Sequence, residues 1–551
     1  MTVAPHVGAM LETVAPRKVT DSGDRLRLGI LLLVAVAIHG WLLAHTYTTA
    51  RDSIEFARIA LQLQNPQAAS APGEGPVNVG DILRKAKHPP GYPLAVLAVS
   101  SAVRPLYHAP LPDQMLLSAQ LTTAIAGVLL AFPTYWLGRF LFGKFAGFAA
   151  ALLFQVLPVA AHVTSDGLTE GPYLLTMATA LLLGVRAIKK PGIGGFLLCG
   201  LATGASYLCR PEGLVIAAAV GVTAVVLGAV RTWPRRAALA RCTALAVGAM
   251  IPAAPYMVII GGITNKPTGN AIFERLMGNP KEKMWKGDRG AAPAADGPLF
   301  AAWYEPETDG AKPIWVVKTL LSEGGKTFHY GTGVLALFGL AMACQRCRAE
   351  PWLAVPLLAG VANFALIVAL GWKIGYLSER HTLPVVFIGC IFAAGWLAQW
   401  PEWAARRFGQ TSVLAGWRVP IVALIVLVLS CLPPALKPLH ENRVGHKHAG
   451  RYLADVLQPE DTLVDPFEWA KFYSGRSLYR VPTDQPNPKL AYAVIEASNK
   501  DESPHSRLDQ MPDALNIARD GRSELVYWWP EVVPKEAAKE KAKVLVYRLE
   551  R

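Results

Sequence analysis

The sequence predicts a polytopic α-helical membrane protein with a small extramembrane α/β unit at its C-terminal end. Three observations predict this class. Of 551 residues, 52% are hydrophobic and 17% charged, whereas soluble proteins are roughly a quarter charged. The apolar residues fall in long blocks almost free of charge, and a bilayer core takes roughly 20 such residues per helix. After the last block, residues 437–551 alternate short β-branched runs with helical stretches. A soluble, fibrous or disordered chain is excluded. Lys and Arg number 54 against 40 Asp and Glu, a formal charge of +14. These basic residues lie between the apolar blocks, where the positive-inside rule keeps them. No nucleic-acid partner is implied.

Along the chain, residues 1–27 are polar and form a cytoplasmic N-terminal segment. The first block, 28–45, is long for a signal-peptide core, and Thr48-Thr49-Ala50 is a poor cleavage site, so it reads as an uncleaved anchor. Later blocks cover 91–106, 118–137, 145–161, 172–188, 192–208, 213–230, 242–261, 330–344, 352–371, 382–399 and 419–436. Five basic clusters orient them: Arg139/Lys144, Arg186/Lys189/Lys190, Arg231/Arg235/Arg236/Arg241, Arg346/Arg348 and Arg406/Arg407/Arg418. All five face the cytoplasm only if block 91–106, bounded by Pro89-Pro90 and Pro105, lies in the outer interface instead of crossing. Eleven spans then remain in a transmembrane unit 28–436, with the N-terminus inside and the C-terminus outside. Three outer pieces follow: 47–117, 262–329 and the α/β unit 437–551. Short runs such as Thr462-Leu463-Val464 and Lys543-Val544-Leu545-Val546-Tyr547 are its strands, and Gly450–Leu457 and Arg507–Arg519 its helices. The seven Cys lie in or beside apolar blocks, so no disulfide framework is expected, and Cys344-x-x-Cys347 alone is a weak zinc signal.

Charged groups at a membrane face are costly and mark functional sites. Asp52 and Glu55 follow the first span and share a helix face; they also suit the helix dipole of an N-terminal turn. Lys87-His88-Pro89-Pro90-Gly91-Tyr92-Pro93 holds a Lys/His pair and a Tyr where two prolines stop a helix, or forms a proline turn with a belt Tyr. In Thr164-Ser165-Asp166-Gly167-Leu168-Thr169-Glu170, capping of the next helix explains Thr169 and Glu170 better than Asp166. Arg210-Pro211-Glu212-Gly213 and Ser378-Glu379-Arg380-His381 place two arginines on the outer face. Arginine suits bidentate phosphate binding, and as an outer-face anchor it runs against the positive-inside bias.

In this order the motifs resemble the GT-C glycosyltransferases, specifically the branch of protein O-mannosyltransferases and the lipid A aminoarabinose transferase. The resemblance covers roughly 28–436. His88–Pro93 and Arg210–Gly213 match its motifs, Asp166 with Glu170 its second acidic loop, and Arg380 its late outer Arg. The family's Asp-Glu pair departs here to Asp52-Ser53, with Glu55 as stand-in, and His381 replaces a frequent aromatic. The resemblance implies a polyprenyl-phosphate sugar donor, a lipid, glycan or protein acceptor, and work on the exoplasmic face of what is, in a bacterium, the inner membrane. Glycosyl transfer needs a carboxylate base at the acceptor and fixed positive charge at the leaving phosphate. Asp52 is expected as the base, with Asp166 assisting or holding a cation. Arg380 is expected on the lipid phosphate, backed by Arg210 and by His88 or Lys87; Tyr92 sits in the same motif, and Glu379 orients Arg380 or faces water. Oxygen ligands at Asp52 and Asp166 would favour Mg²⁺ or Mn²⁺. Attack opposite the phosphate predicts inversion. The alternative is a secondary transporter or flippase, which would show paired broken helices and mid-span charges; the sequence has no internal repeat, and its acids gather at one face.

Overall fold

The computed structural model describes residues 22–70, 75–266, 301–303, 310–480, 489–496 and 512–550. Residues 1–21, most of the loop 262–329 and part of the expected helix 507–519 lie outside them.

The first span is α1 (Ser22–Ala44). The piece after it, 47–117, folds into α2 (Asp52–Gln64), α3 (Val79–Lys85) and α4 (Gly91–Leu106). The bundle continues with α5 (Leu111–Leu129), α6 (Ala131–Phe142), α7 (Lys144–Val156), α8 (Pro158–Val163), α9 (Glu170–Lys189) and α10 (Ile193–Cys209). Then come α11 (Val215–Ala229), α12 (Arg235–Ile260), α13 (Lys312–Thr327), α14 (Gly331–Arg346), α15 (Ala354–Ile374), α16 (Glu379–Phe408) and α17 (Arg418–Ala435).

The protein is an integral membrane protein of the expected class. Among the described residues, 8 helical stretches are long and apolar enough to cross a bilayer, or 9 if the α13–α14 pair, bent by 105°, counts as one. The expected eleven spans are not confirmed. Three of the expected blocks form helices of only 13 (α7), 17 (α10) and 16 (α14) residues. Proline explains the shortest: Pro158 starts α8, because a residue without an N–H and with fixed φ is accommodated at a first turn but not in a helix interior. The 16-residue α4 packs against α2 and α5, and its length falls short of a span.

The helices approach closely where side chains are absent. A Cβ on Gly200 of α10 would stand 2.3 Å from Leu245 O of α12, and one on Gly248 of α12 2.3 Å from Leu197 O. Small residues let two backbones touch, which is how apolar helices associate in lipid. The central helix is α16, with 78% of its apolar window buried, against 22% for the peripheral α17. Arg380 thus projects from the most enclosed element. A short antiparallel ladder joins β1 (Ala301–Trp303) to β2 (Tyr376–Ser378), pairing Ala301 with Ser378 just ahead of α16.

Beyond α17 the chain forms the expected α/β unit. Its sheet has the order β3 (Thr462–Val464), β4 (Leu490–Glu496), β6 (Val544–Glu550), β5 (Glu524–Trp529); β3 and β4 are parallel and the other pairs antiparallel. The helix α18 (Val444–Val456) packs on β5 and β6 and on the short α19 (Trp469–Tyr473). Asp113 at the start of α5 receives Lys447 (2.7 Å) and Arg451 (3.1 Å) of α18, docking the unit onto the bundle.

Candidate active site

Asp52 is the first residue of α2, and its dipole would hold a carboxylate there. The carboxylate turns instead to Arg380, whose Nη1 donates to Asp52 Oδ2 at 2.6 Å. Arg380 is the second residue of α16, where a cation faces the wrong end of a helix dipole, so a carboxylate partner compensates it. Burial would raise the carboxyl of Asp52, but the charge and hydrogen bond of Arg380, helped by Arg51, outweigh it and hold the group below the usual carboxylate range.

Beside this pair lies a cavity of about 300 Å³. Arg210, Lys266 and Arg380 line it with Glu170 and Glu212, and its other wall is apolar, built by Leu366, Ile367 and Leu370 of α15 with Leu174 and Val215. Arg210 follows α10 in an extended conformation that brings its Nη1 within 2.5 Å of Glu170 Oε1 and its Nε within 3.6 Å of Glu212. Burial opposes its charge, but Glu212 and Glu170 more than restore it, so the guanidinium is held more firmly protonated than usual. Lys266 Nζ lies 3.8 Å from Glu212; burial lowers its pKa despite the carboxylates nearby. Counting Asp52, cations and carboxylates balance.

The two expected arginines, 210 and 380, share this cavity, and Glu170 joins them. Other expected residues lie elsewhere. Asp166 is 2% exposed, and its oxygens are engaged: Oδ1 accepts from the N–H of Ala50 (3.0 Å) and of Gly167 (2.7 Å), and Oδ2 accepts from His440 Nε2 (2.7 Å). It ties three segments together behind α2. A Cβ on Gly167 would stand 2.6 Å from Ser53 Oγ, so this loop lies directly against the residue after Asp52. The Asp52/Asp166 pair fits a divalent cation poorly, since one carboxylate holds a guanidinium and the other is spent on N–H donors. Among the described residues no group of three or more His, Cys, Asp or Glu could hold a metal ion.

Lys87 and His88 do not line the cavity. His88 stands 3.8 Å from Glu55, and burial, followed by the charge of Lys266, lowers its pKa to about 3, leaving it neutral. Lys87 is exposed. Burial and then Asp52 raise the pKa of Glu55. Tyr92, expected at the substrate, is fully buried; its hydroxyl donates to Ala119 O and meets Thr123 Oγ1, both at 2.9 Å. It anchors α4 to α5 with Phe56 edge-on at 4.9 Å. Glu379 is buried too and lies outside the cavity lining, where its backbone carbonyl accepts from Thr382 (2.7 Å). Its side chain makes no hydrogen bond or ion pair with Arg380 among the described residues.

The sequence reading missed Lys266, Glu212 as a cavity residue, Asn363 and His440. A signal existed for Asn363, a lone amide in an apolar span; it is 3% exposed and lines the cavity. Lys266 is one cation among many in its loop, and nothing in the tail marks His440.

With the geometry in place, similarity to known proteins becomes informative. Residues 110–258 match the sequence model of the dolichyl-phosphate-mannose-protein mannosyltransferase family. Comparison with curated protein sequences gives no match. The fold is similar to that of ArnT from Cupriavidus metallidurans bound to undecaprenyl phosphate, with a TM-score of 0.56 at 14% identity, covering 96% of this chain and 98% of that one. The apo state of the same protein gives 0.54 at the same identity and coverage. The apo oligosaccharyltransferase of Archaeoglobus fulgidus gives 0.50 at 14% identity, covering 84% of this chain and 61% of that one, so the present chain spans about three fifths of its length. The chain has the fold of the GT-C membrane glycosyltransferases, as the resemblance in its motifs implied.

Proposed function

We propose that this chain, with its GT-C fold, transfers a sugar from a polyprenyl-phosphate donor to an acceptor hydroxyl or amine on the exoplasmic face of the membrane, with inversion at the anomeric carbon. The observation that carries the reading is the Asp52–Arg380 contact at 2.6 Å, made by an arginine that also lines the cavity with Arg210 and Lys266. The reaction needs a base and a leaving-group clamp close together, and that contact joins the two.

The leaving group is a phosphate monoester. Guanidinium groups stabilise its growing charge without proton transfer, and here they are fixed in advance by Glu170, Glu212 and Asp52. The apolar wall from α15 suits the first part of an isoprenoid chain. When the donor phosphate takes Arg380, Asp52 loses its strongest electrostatic partner. Its carboxylate then becomes more basic and is free to accept the acceptor's proton as the new C–O or C–N bond forms and the C–O bond to phosphate breaks. Resting pairing thus keeps the base weak until a donor is bound. Asp166 acts behind Asp52, and no step passes through a metal.

The test is sugar transfer by the full-length protein reconstituted with a polyprenyl-phosphate sugar. Asp52→Asn is expected to cost on the order of 10²–10⁴ in rate, the usual contribution of a positioned base. An unchanged rate removes the reading.

A further inference from the structure

Residues 436–443 join α17 to the C-terminal unit, and this junction runs beside the segment between α1 and α2. The residues that lead into Asp52 are held one after another. The N–H of Tyr47 donates to Leu439 O at 3.2 Å. Thr48 Oγ1 and the Tyr473 hydroxyl share a hydrogen bond of 3.0 Å. Trp469 Nε1 donates to Thr49 O at 3.1 Å. The N–H of Ala50 donates to Asp166 at 3.0 Å, and Asp166 is held in turn by His440 at 2.7 Å. Farther along α2, Arg58 donates to Ser477 O (2.8 Å) and ion-pairs with Glu468 (3.2 Å). Every anchor in this series leads to the chain beyond the last span.

His440 is the unusual member. It is 2% exposed and adopts a left-handed backbone, φ 53°. A residue with a Cβ is disfavoured there, and such conformations persist where the surroundings over-determine them. Its imidazole satisfies a carboxylate that is almost wholly buried and would otherwise keep one oxygen without a donor, a costly state.

We propose that His440 is a positioning residue for glycosyl transfer: it orients Asp166, which fixes the Ala50 N–H and so sets Asp52, two residues on, against the reacting centre. The C-terminal unit then serves as a brace for the base, independent of any contact with acceptor. The inference rests on Asp52 being that base. A base shifted by about 1 Å loses on the order of 10²-fold in rate, while Arg210 and Lys266, paired with Glu170 and Glu212 on other elements, keep their hold on the donor.

The experiment measures kcat and donor KM of the full-length, reconstituted protein. His440→Ala should lower kcat by roughly 10- to 100-fold with donor KM within about twofold of wild type, the pattern of a contact that acts on the transition state alone. His440→Gln offers an N–H at similar reach and should recover most of kcat. Asp166→Asn should reproduce the kcat-specific loss, and the double variant His440→Ala/Asp166→Asn should cost no more than the worse single, because the two act in one chain. A wild-type kcat in His440→Ala overturns the proposal. So does an equal loss in the Ala and Gln variants that follows a lower unfolding temperature, or a fully additive double variant. Asp52→Asn separates the premises: full activity there sinks the base assignment, whereas an inactive Asp52→Asn beside a normal His440→Ala sinks only the brace.

Discussion

Asp52 and Arg380 stand 328 positions apart in the chain and meet at 2.6 Å. A carboxylate at the head of α2 is thereby matched to a guanidinium at the head of the most enclosed span. The guanidinium faces the unfavourable end of a helix dipole, and the carboxylate compensates it.

Arg380→Lys tests the clamp. A lysine keeps the charge but loses the planar fork. Donor KM should rise and kcat fall together, with kcat/KM lower by about 10- to 100-fold, the worth of one charge-assisted hydrogen bond, at normal protein level in the membrane. Full activity with normal donor affinity would leave Arg380 as an anchor and move the phosphate site to Arg210.

The same contact sets a pH dependence. A carboxyl held below its ordinary value contributes stability that is present above that ordinary value, near 3.9, and is lost as pH falls through the depressed one. Between pH 5 and 8 the pair should therefore make no difference to the pH profile of unfolding. In Arg380→Gln the carboxyl of Asp52 is released upward, because burial now acts unopposed by its main partner. The acid limb of kcat/KM, which reports the free enzyme, should move to higher pH than in wild type. An unmoved acid limb would mean that Asp52 is not the group titrating there.

Glu170→Gln probes the second pair. Glu170 is 3% exposed, and its removal leaves Arg210 with Glu212, at the longer distance of 3.6 Å, as its carboxylate partner. Breaking a buried pair on one side costs about 3–5 kcal/mol, so thermal unfolding in detergent should show a clear loss. Restoring most of that loss by also changing Arg210 to Met would identify an uncompensated charge as the cause.

How much of this was legible in the sequence differs by kind of feature. Apolar blocks are visible because lipid imposes length and composition directly, and α4 was separable from the spans because the five basic clusters between later blocks left no parity for another crossing. Arg210 and Arg380 stood out because cations are rare at the outer ends of spans. Which acid each would pair with did not stand out. Glu170 lies 40 positions from Arg210, and nothing in one chain reports which helix ends meet. The burial of Tyr92 and the engagement of Asp166 were hidden for the same reason: a motif shows residue types, whereas packing decides whether they face a substrate or one another.

Gly167→Ala is a steric test of the loop behind Asp52. The added methyl would press on Ser53 Oγ and Cβ at 2.6 and 2.9 Å. Overpacking of this kind costs typically about 1–3 kcal/mol, and the strain falls on the residue after the proposed base. Activity should drop more than stability does, measured as kcat against unfolding temperature. Compensation by Ser53→Gly would confirm that the clash is the cause.

The β1–β2 ladder carries a consequence for how such a protein can diversify. It ties a strand of the long loop to Ser378, two residues ahead of Arg380, through main-chain hydrogen bonds. Main-chain groups are the same in every residue but proline, so the tether does not depend on which side chains the loop displays. Substitutions other than proline at residues 301–303 should therefore leave the main-chain tether ahead of Arg380 in place.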